Sequence, residues 1–149
     1  MYKKILLPTD GSEYAERAGE HAIWLANQSK ADIVVLNVIE TAYFRALPED
    51  DLIYVLDKGL RGESKKAVED FEKKLMERKC EGTCRENVQL KTLIKEGHPV
   101  DLIMETIDEE KIDLVVMGTA GKHGLDRFLL GSVTEKVVRT SKCPVLVIK

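Results

Sequence analysis

The sequence predicts a doubly wound α/β fold, a parallel sheet of five strands in the order 3-2-1-4-5 with helices on both faces. Two observations predict it. Short runs rich in β-branched residues alternate with longer segments whose apolar residues recur at helical spacing. The most continuous apolar runs, 33–36 and 114–117, are typical of central parallel strands. A length of 149 residues suits one domain, which we assign to residues 1–149.

The character of each strand indicates its place in the sheet. The third strand alternates apolar and polar residues, with Leu93 as the exception, which is typical of a solvated edge. Proline is tolerated at strand starts and edges, so Pro144 is suited to open an edge strand. With right-handed crossovers, chain direction reverses between strands 1 and 4, and a ligand crevice should open at their C-terminal ends. The predicted strands are Lys3–Leu7, Asp32–Val38, Val88–Ile94, Ile112–Met117 and Pro144–Ile148.

Helices are predicted between the strands. Asp10 or Ser12 can cap the first helix, and Ser132 and Glu135 have the spacing of a capping box that would begin the fourth. Pro99, after His98, suits the first position of the third helix. Each predicted helix carries a stripe of apolar residues at helical spacing. The stripe of the first helix is Ala15, Ala18, Ala22, Leu25 and Ala26, and that of the second is Leu52, Leu56, Leu60, Ala67, Phe71 and Leu75. The stripe of the third is Val100, Ile103, Met104 and Ile107, and that of the fourth is Val133, Val137 and Val138.

Composition and charge exclude several classes of protein. The 23 basic and 26 acidic side chains give a net charge of −3, which lacks the positive footprint of a nucleic-acid-binding protein. No apolar run approaches the ~20 residues of a membrane span, and the run after Lys4 is too short for a signal peptide. Three cysteines without a secretory signal argue against a disulfide framework, so we expect a cytoplasmic protein. Cys80 and Cys84 are interpreted as incidental, with a metal or redox pair as the alternative.

The connection after strand 4 is the most informative segment. Gly131 lies thirteen positions after Gly118, whereas an ordinary βα connection has roughly 2–6 residues. It lies where the crevice is expected, so it is either a binding loop or a disordered insertion. Side chains suited to packing favour the binding loop. They are Leu125, Phe128, Leu129 and Leu130.

The chemistry of this loop suits phosphate. Glycines allow the backbone to approach an anion closely and direct its N–H groups toward it, and the fourth helix begins there with a positive dipole end. Lys122, His123 and Arg127 add polar or cationic donors. The segment lacks the spacing of a P-loop, and no G-x-G-x-x-G follows strand 1. An ordinary surface loop with incidental glycines is the alternative.

The pattern Gly118-x2-Gly121-x9-Gly131-Ser132 resembles the ATP-binding signature of the universal stress protein family. The resemblance covers the whole chain. The opening residues 5–12, Ile-Leu-Leu-Pro-Thr-Asp-Gly-Ser, are similar to the family's first strand and turn. Residues 131–138 and 143–147 are similar to its ending.

The resemblance implies an ATP-binding protein that is usually dimeric. It implies a position for Asp10 at the ribose and adenine, with Pro8, Thr9 and the backbone of Val38 framing the base. It places Met117 and Gly118 at the ribose. The residues that it implies for the phosphates are Gly121, His123, Gly124, Gly131, Ser132, Val133 and Thr134.

Two functions from different classes are open at this stage. The first is a nucleotide-dependent regulatory protein, in which bound ATP orders loop 118–131 and presents a surface to a protein partner. The second is a slow or partner-stimulated ATPase or phosphotransferase, with Asp10 acting through Mg²⁺ and His123 orienting a phosphate. No second carboxylate accompanies Asp10 in the two loops, which favours binding over catalysis.

The last strand predicts how the protein assembles. Val145–Ile148 is apolar and uncharged, and such an edge strand invites pairing with another chain. Covering by a chain terminus is the alternative, but only Lys149 follows. We therefore expect a homodimer formed by antiparallel addition of strand 144–148, as the family resemblance also implies.

Overall fold

The computed structural model describes residues 1–42, 50–85, 87–122 and 130–149. The described elements alternate strand and helix along the chain, as the sequence predicts. In chain order they are β1 (Lys4–Pro8), α1 (Glu13–Ser29), β2 (Asp32–Glu40), α2 (Asp50–Cys80), β3 (Leu90–Gly97), α3 (Pro99–Glu110), β4 (Leu114–Gly118), α4 (Ser132–Thr140) and β5 (Val145–Ile148).

The sheet is parallel throughout, with strand order β3-β2-β1-β4-β5. The predicted fold class is therefore confirmed. The two apolar runs lie in β2 and β4, on either side of β1, and β3 and β5 are the edges. Because β1 is followed by β2 on one side and pairs with β4 on the other, the C-terminal ends of β1 and β4 lie at the reversal point.

The core has two halves, one on each face of the sheet. On one face, α1 and α2 cover a cluster that includes Ile5 and Leu7. On the other face, α3 and α4 cover a cluster that includes Leu6 and Leu36. All four of these strand residues are essentially inaccessible to solvent. Burying each such side chain contributes about 1.5–3 kcal/mol, so the two halves together hold the sheet in place.

The start of α1 is fixed by local chemistry. The Ser12 side chain accepts a hydrogen bond from the backbone N–H of Ala15 at 3.2 Å, as predicted for an N-cap. Small residues on the inner face let the helix approach the sheet, and an added Cβ at Gly19 would lie 3.1 Å from the ring of Phe71 on α2. The predicted stripe is confirmed: its alanines are buried and Leu25 packs against the same cluster.

The stripe predicted for α2 is only half correct. Ala67, Phe71 and Leu75 are buried, but Leu52 is 50% exposed. The reason is position along the sheet. Arg61 forms an ion pair with Glu96, the last residue but one of β3, so the turns that precede it extend past the strand ends. Residues there keep a helical apolar pattern without a sheet beneath them.

The bounds and inward faces of three elements also differ from prediction. Val88 is buried but precedes β3, because its N–H bonds the carbonyl of Arg85 in a turn. In β3, Leu93, the exception to the predicted alternation, packs against the α3 and α4 cluster, whereas Ile94 is 44% exposed. On α4, Val137 is buried but Val138 is 44% exposed. Within the described residues, no helix combines the length and apolarity that crossing a membrane requires.

Candidate functional site

The turn after β1 and the loop after β4 meet at the Asp10 carboxylate. Its Oδ2 accepts the backbone N–H of Lys122 at 2.8 Å, and its Oδ1 accepts that of Ser12 at 3.0 Å. An added Cβ at Gly121 would lie 2.5 Å from Oδ2. The two segments that the sequence singled out are thus joined at the C-terminal ends of neighbouring strands, where a crevice is expected.

Strand β2 holds the first of these segments from the other side. The N–H of Thr9 donates to the carbonyl of Leu36 at 2.9 Å, and the Asn37 amide nitrogen donates to the carbonyl of Thr9 at 2.8 Å. Asn37 is only 5% exposed, and its buried Oδ1 has no hydrogen-bond partner among the described residues. Sequence reasoning missed Asn37, although a lone amide between apolar residues of a buried strand was a usable signal.

Two of the signature glycines have a packing role that the sequence did not reveal. At Gly118 an added Cβ would lie 2.7 Å from the Cβ of Tyr14 and 2.9 Å from its backbone carbonyl, so α1 approaches the end of β4 closely. At Gly131 an added Cβ would lie 3.3 Å from the Cα of Ala120. The N–H of Gly131 also donates to the carbonyl of Thr119 at 2.7 Å. These contacts close the base of the loop.

The predicted capping box at α4 is wrong. Gly131 is the N-cap residue and Ser132 is the first helical residue, so Ser132 lies one position too late to cap. Gly131 has no side-chain acceptor for the first N–H groups of the helix. Thr134 is 3% exposed, and its hydroxyl donates to the carbonyl of Gly118 at 2.9 Å. Its side chain therefore joins α4 to β4 instead of facing the loop.

Apolar residues of the candidate site lie at or near the C-terminal ends of strands. Pro8 is the last residue of β1 and is half-buried, and Val38 is half-buried against the α3 and α4 cluster. Met117 belongs to that cluster and is 5% exposed. Thr9 uses its hydroxyl to accept the N–H of Gly11 at 3.2 Å. Ser132 is exposed and Val133 half-buried at the start of α4.

The loop after β4 is described only at its two ends, up to residue 122 and from residue 130. His123 and Gly124 lie outside the described residues, as do Leu125, Arg127, Phe128 and Leu129. Leu130, which was predicted to pack, is described and is 43% exposed, so that prediction is wrong.

Helix α2 flanks the site, which the sequence did not predict. Ala67 lies against Gly11, where an added Cβ would be 3.3 Å from the Ala67 Cβ. Gly11 has a φ of +75°, a conformation that favours glycine. One turn earlier, Glu63 pairs with the Lys122 ammonium at 2.9 Å. Residues of α2 that are more than fifty positions from Gly11 and from Lys122 thus contact both segments.

The described residues show no cluster of three or more His, Cys, Asp or Glu side chains that could hold a metal ion. Cys80 is exposed, and Cys84 is buried near the end of α2. Burial raises the pKa of the Cys84 thiol, despite the nearby Lys79 charge. The interpretation of Cys80 and Cys84 as incidental stays a prediction.

Comparison with known proteins gives a consistent result. The model of the universal stress protein family matches residues 1–149. Universal stress protein MJ0531 of Methanocaldococcus jannaschii is 38% identical over 149 residues, which cover 100% of this chain and 83% of that protein. The solved structure of protein MJ0577, from the same organism, is similar with a TM-score of 0.82 and 34% identity, covering 100% of this chain and 96% of that one. A universal stress protein solved in complex with cAMP is similar with a TM-score of 0.60 and 26% identity, covering 99% and 96%.

Proposed function

This chain belongs to the universal stress protein family, and we propose that it binds ATP between the turn after β1 and the loop after β4. The observation that carries the proposal is the Asp10 carboxylate, which joins these two segments at the reversal point of the sheet. A similar protein solved in complex with cAMP supports a nucleotide as the ligand class. Cytoplasmic location and regulation of a protein partner are part of the same proposal.

The described residues fit the parts of a nucleoside phosphate. Pro8, Thr9 and the backbone of Val38 frame the base, next to Asn37, whose amide holds the Thr9 carbonyl. Asp10, Met117 and Gly118 are assigned to the ribose. Both oxygens of Asp10 already accept N–H groups, so the turn that carries it is preorganised.

The phosphates are assigned to the loop and the start of α4. The first N–H groups of α4 lack a capping side chain from Gly131, and a helix N-terminus of this kind attracts anions. Gly121, Gly131, Ser132 and Val133 line this region, and we assign Thr134 a supporting role because its hydroxyl is bonded to Gly118. His123 and Gly124 stay assigned to the phosphates as a prediction.

We favour a nucleotide-dependent switch over an ATPase. Both carboxylate oxygens of Asp10 are engaged by backbone N–H groups, which favours a positioning role for this side chain over that of a Mg²⁺ ligand. Phosphate release at steady state distinguishes the two functions. Turnover that Asp10→Ala abolishes while ATP still binds would support the enzyme.

Calorimetric titration of Mg-ATP into nucleotide-stripped protein tests the binding proposal. We expect a dissociation constant in the micromolar range or below, which corresponds to about 8 kcal/mol or more. Gly121→Val should abolish binding, because its side chain would collide with the Asp10 carboxylate, and Ser132→Ala should weaken it. Gly62→Ala is the control that should bind normally, because among the described residues no atom from outside its own helix backbone lies within 4 Å of the added Cβ. No binding to the unaltered chain would refute the proposal.

The dimer is proposed to form through β5. The carbonyl of Pro144 accepts the N–H of Val115 in β4, and that of Ile148 accepts the N–H of Thr119, which directly follows β4. The N–H and C=O of Val147 therefore face outward from the edge. Val147→Pro removes that outward N–H and should give a monomer in sedimentation experiments. Val147→Thr keeps the N–H and should stay dimeric. An unaltered protein that sediments as a monomer would contradict this part of the proposal.

A further inference from the structure

Lys122 is held at the rim of the candidate site by two different groups. Its backbone N–H donates to Asp10 at 2.8 Å, which fixes the position of the residue. Its ammonium lies 2.9 Å from a carboxylate oxygen of Glu63 on α2. The residue directly follows Gly121, which we assign to the phosphates. A lysine ammonium at this position is within the region where phosphate charge would accumulate.

The ion pair between Lys122 and Glu63 is exposed. The two side chains are 44% and 61% accessible to solvent. Exposed pairs of this kind contribute little to stability, because water screens them and long side chains must be ordered. Glu63 is therefore a counter-charge that phosphate can displace at low cost, unlike Asp10, whose bonds join backbone segments.

We propose that Glu63 and the terminal phosphates of the nucleotide compete for Lys122, so that Glu63 sets how strongly the site prefers ATP over nucleotides with fewer phosphates. This inference rests on the proposed function. In the free protein Glu63 neutralises the Lys122 ammonium, and in the complex its carboxylate repels the polyphosphate. Both effects grow with the number of phosphate charges, and neither acts on uncharged adenosine.

Titrations with ATP, ADP, AMP and adenosine at low salt test the proposal. Glu63→Gln keeps the shape of the side chain and removes its charge. We expect it to raise ATP affinity about threefold to fivefold, AMP affinity less, and adenosine affinity not at all. Lys122→Met should lower ATP affinity and leave adenosine binding unchanged. In the double variant, the gain from Glu63→Gln should shrink, because the cation that Glu63 neutralises is gone.

Glu69→Gln is the matched control. Glu69 lies on the same helix, is exposed and pairs with Lys65 instead of a loop residue. It should leave all four affinities unchanged, and raised salt should reduce the effect of Glu63→Gln. An equal change for ATP and adenosine, or an equal effect of Glu69→Gln, would overturn the inference. If ATP binds and the ratio of ATP to adenosine affinity does not respond to Glu63→Gln, this inference alone fails. Absence of ATP binding to the unaltered chain overturns the proposed function and this inference together.

Discussion

The Thr134 hydroxyl donates a buried hydrogen bond to the carbonyl of Gly118, at 2.9 Å. It joins the first turn of α4 to the last residue of β4, across the whole of the intervening loop. The two ends of the loop after β4 are thus held together by this bond. This bond also explains why a polar residue occupies a fully buried position on α4.

Thr134→Val should lower the free energy of unfolding by about 1–2 kcal/mol, because it keeps the shape of the side chain and removes the hydroxyl that donates to the Gly118 carbonyl. Urea denaturation measures the change. Thr92→Val, on the exposed face of edge strand β3, is the control and should stay within about 0.5 kcal/mol of the unaltered protein. Equal effects of the two substitutions would show that the buried bond contributes nothing.

Gly118→Ala should destabilise the protein by about 2 kcal/mol or more, since the new methyl group would collide with backbone atoms of Tyr14 that cannot rotate away. Gly62→Ala should do the opposite. Gly62 lies inside α2, where the added Cβ would meet no described atom within 4 Å beyond its own helix backbone, and alanine is favoured over glycine in a helix by about 1 kcal/mol. Thermal and urea unfolding of both variants test this pair. A stable Gly118→Ala protein would refute the close approach of α1 to β4.

Asn37→Leu should reduce ATP affinity severalfold with a change in stability of less than about 1 kcal/mol. The substitution removes the donor that holds the Thr9 carbonyl, and it also removes a buried oxygen that has no partner within the described part of the chain. Calorimetry and urea denaturation measure the two quantities separately.

Asn37→Asp is the contrasting variant, because a buried carboxylate would face that carbonyl. It should destabilise the protein at neutral pH and recover part of the loss in acid, where the carboxyl is protonated and can donate. Equal stability at both pH values would contradict this reasoning.

Stability should fall in acid, in part through Glu20 and Glu110. For Glu20, burial alone would raise the pKa, but hydrogen bonds from Arg78 and Lys74 outweigh it and lower the pKa below 4.5. For Glu110, the hydrogen bond from Lys91 lowers the pKa below the same value. A depressed folded-state pKa gives stability that is fully present above the unfolded value and is lost as the pH falls through the folded one.

Glu110→Gln should therefore reduce the difference in unfolding free energy between neutral pH and about pH 3. Urea denaturation at both pH values gives that difference. Glu135→Gln, which breaks an exposed pair with Arg139, is the control and should leave it unchanged. A difference as large in Glu110→Gln as in the unaltered protein would show that this carboxyl contributes nothing to the acid response.

The sequence alone determined the fold class, the strand order and the two loops of the candidate site. This was possible because a central strand such as β2 is buried on both faces and therefore needs a continuous apolar run. A helix such as α1 or α3 is buried on one side and therefore has apolar residues at helical spacing. Such signals are local in the chain. They also limited the cap of α1 to Asp10 or Ser12, and the structure selects Ser12, whose donor, Ala15, is three residues away.

Only the tertiary structure decided which distant groups meet. The contacts of Asp10 with Lys122, of Asn37 with Thr9 and of Glu63 with Lys122 join segments 28 to 112 residues apart. No periodicity encodes them, because they depend on which helix covers which strand and where it ends. The same reason explains the exposure of Leu52. A helical stripe is buried only where a sheet lies beneath it, and the first turns of α2 extend past the ends of the strands.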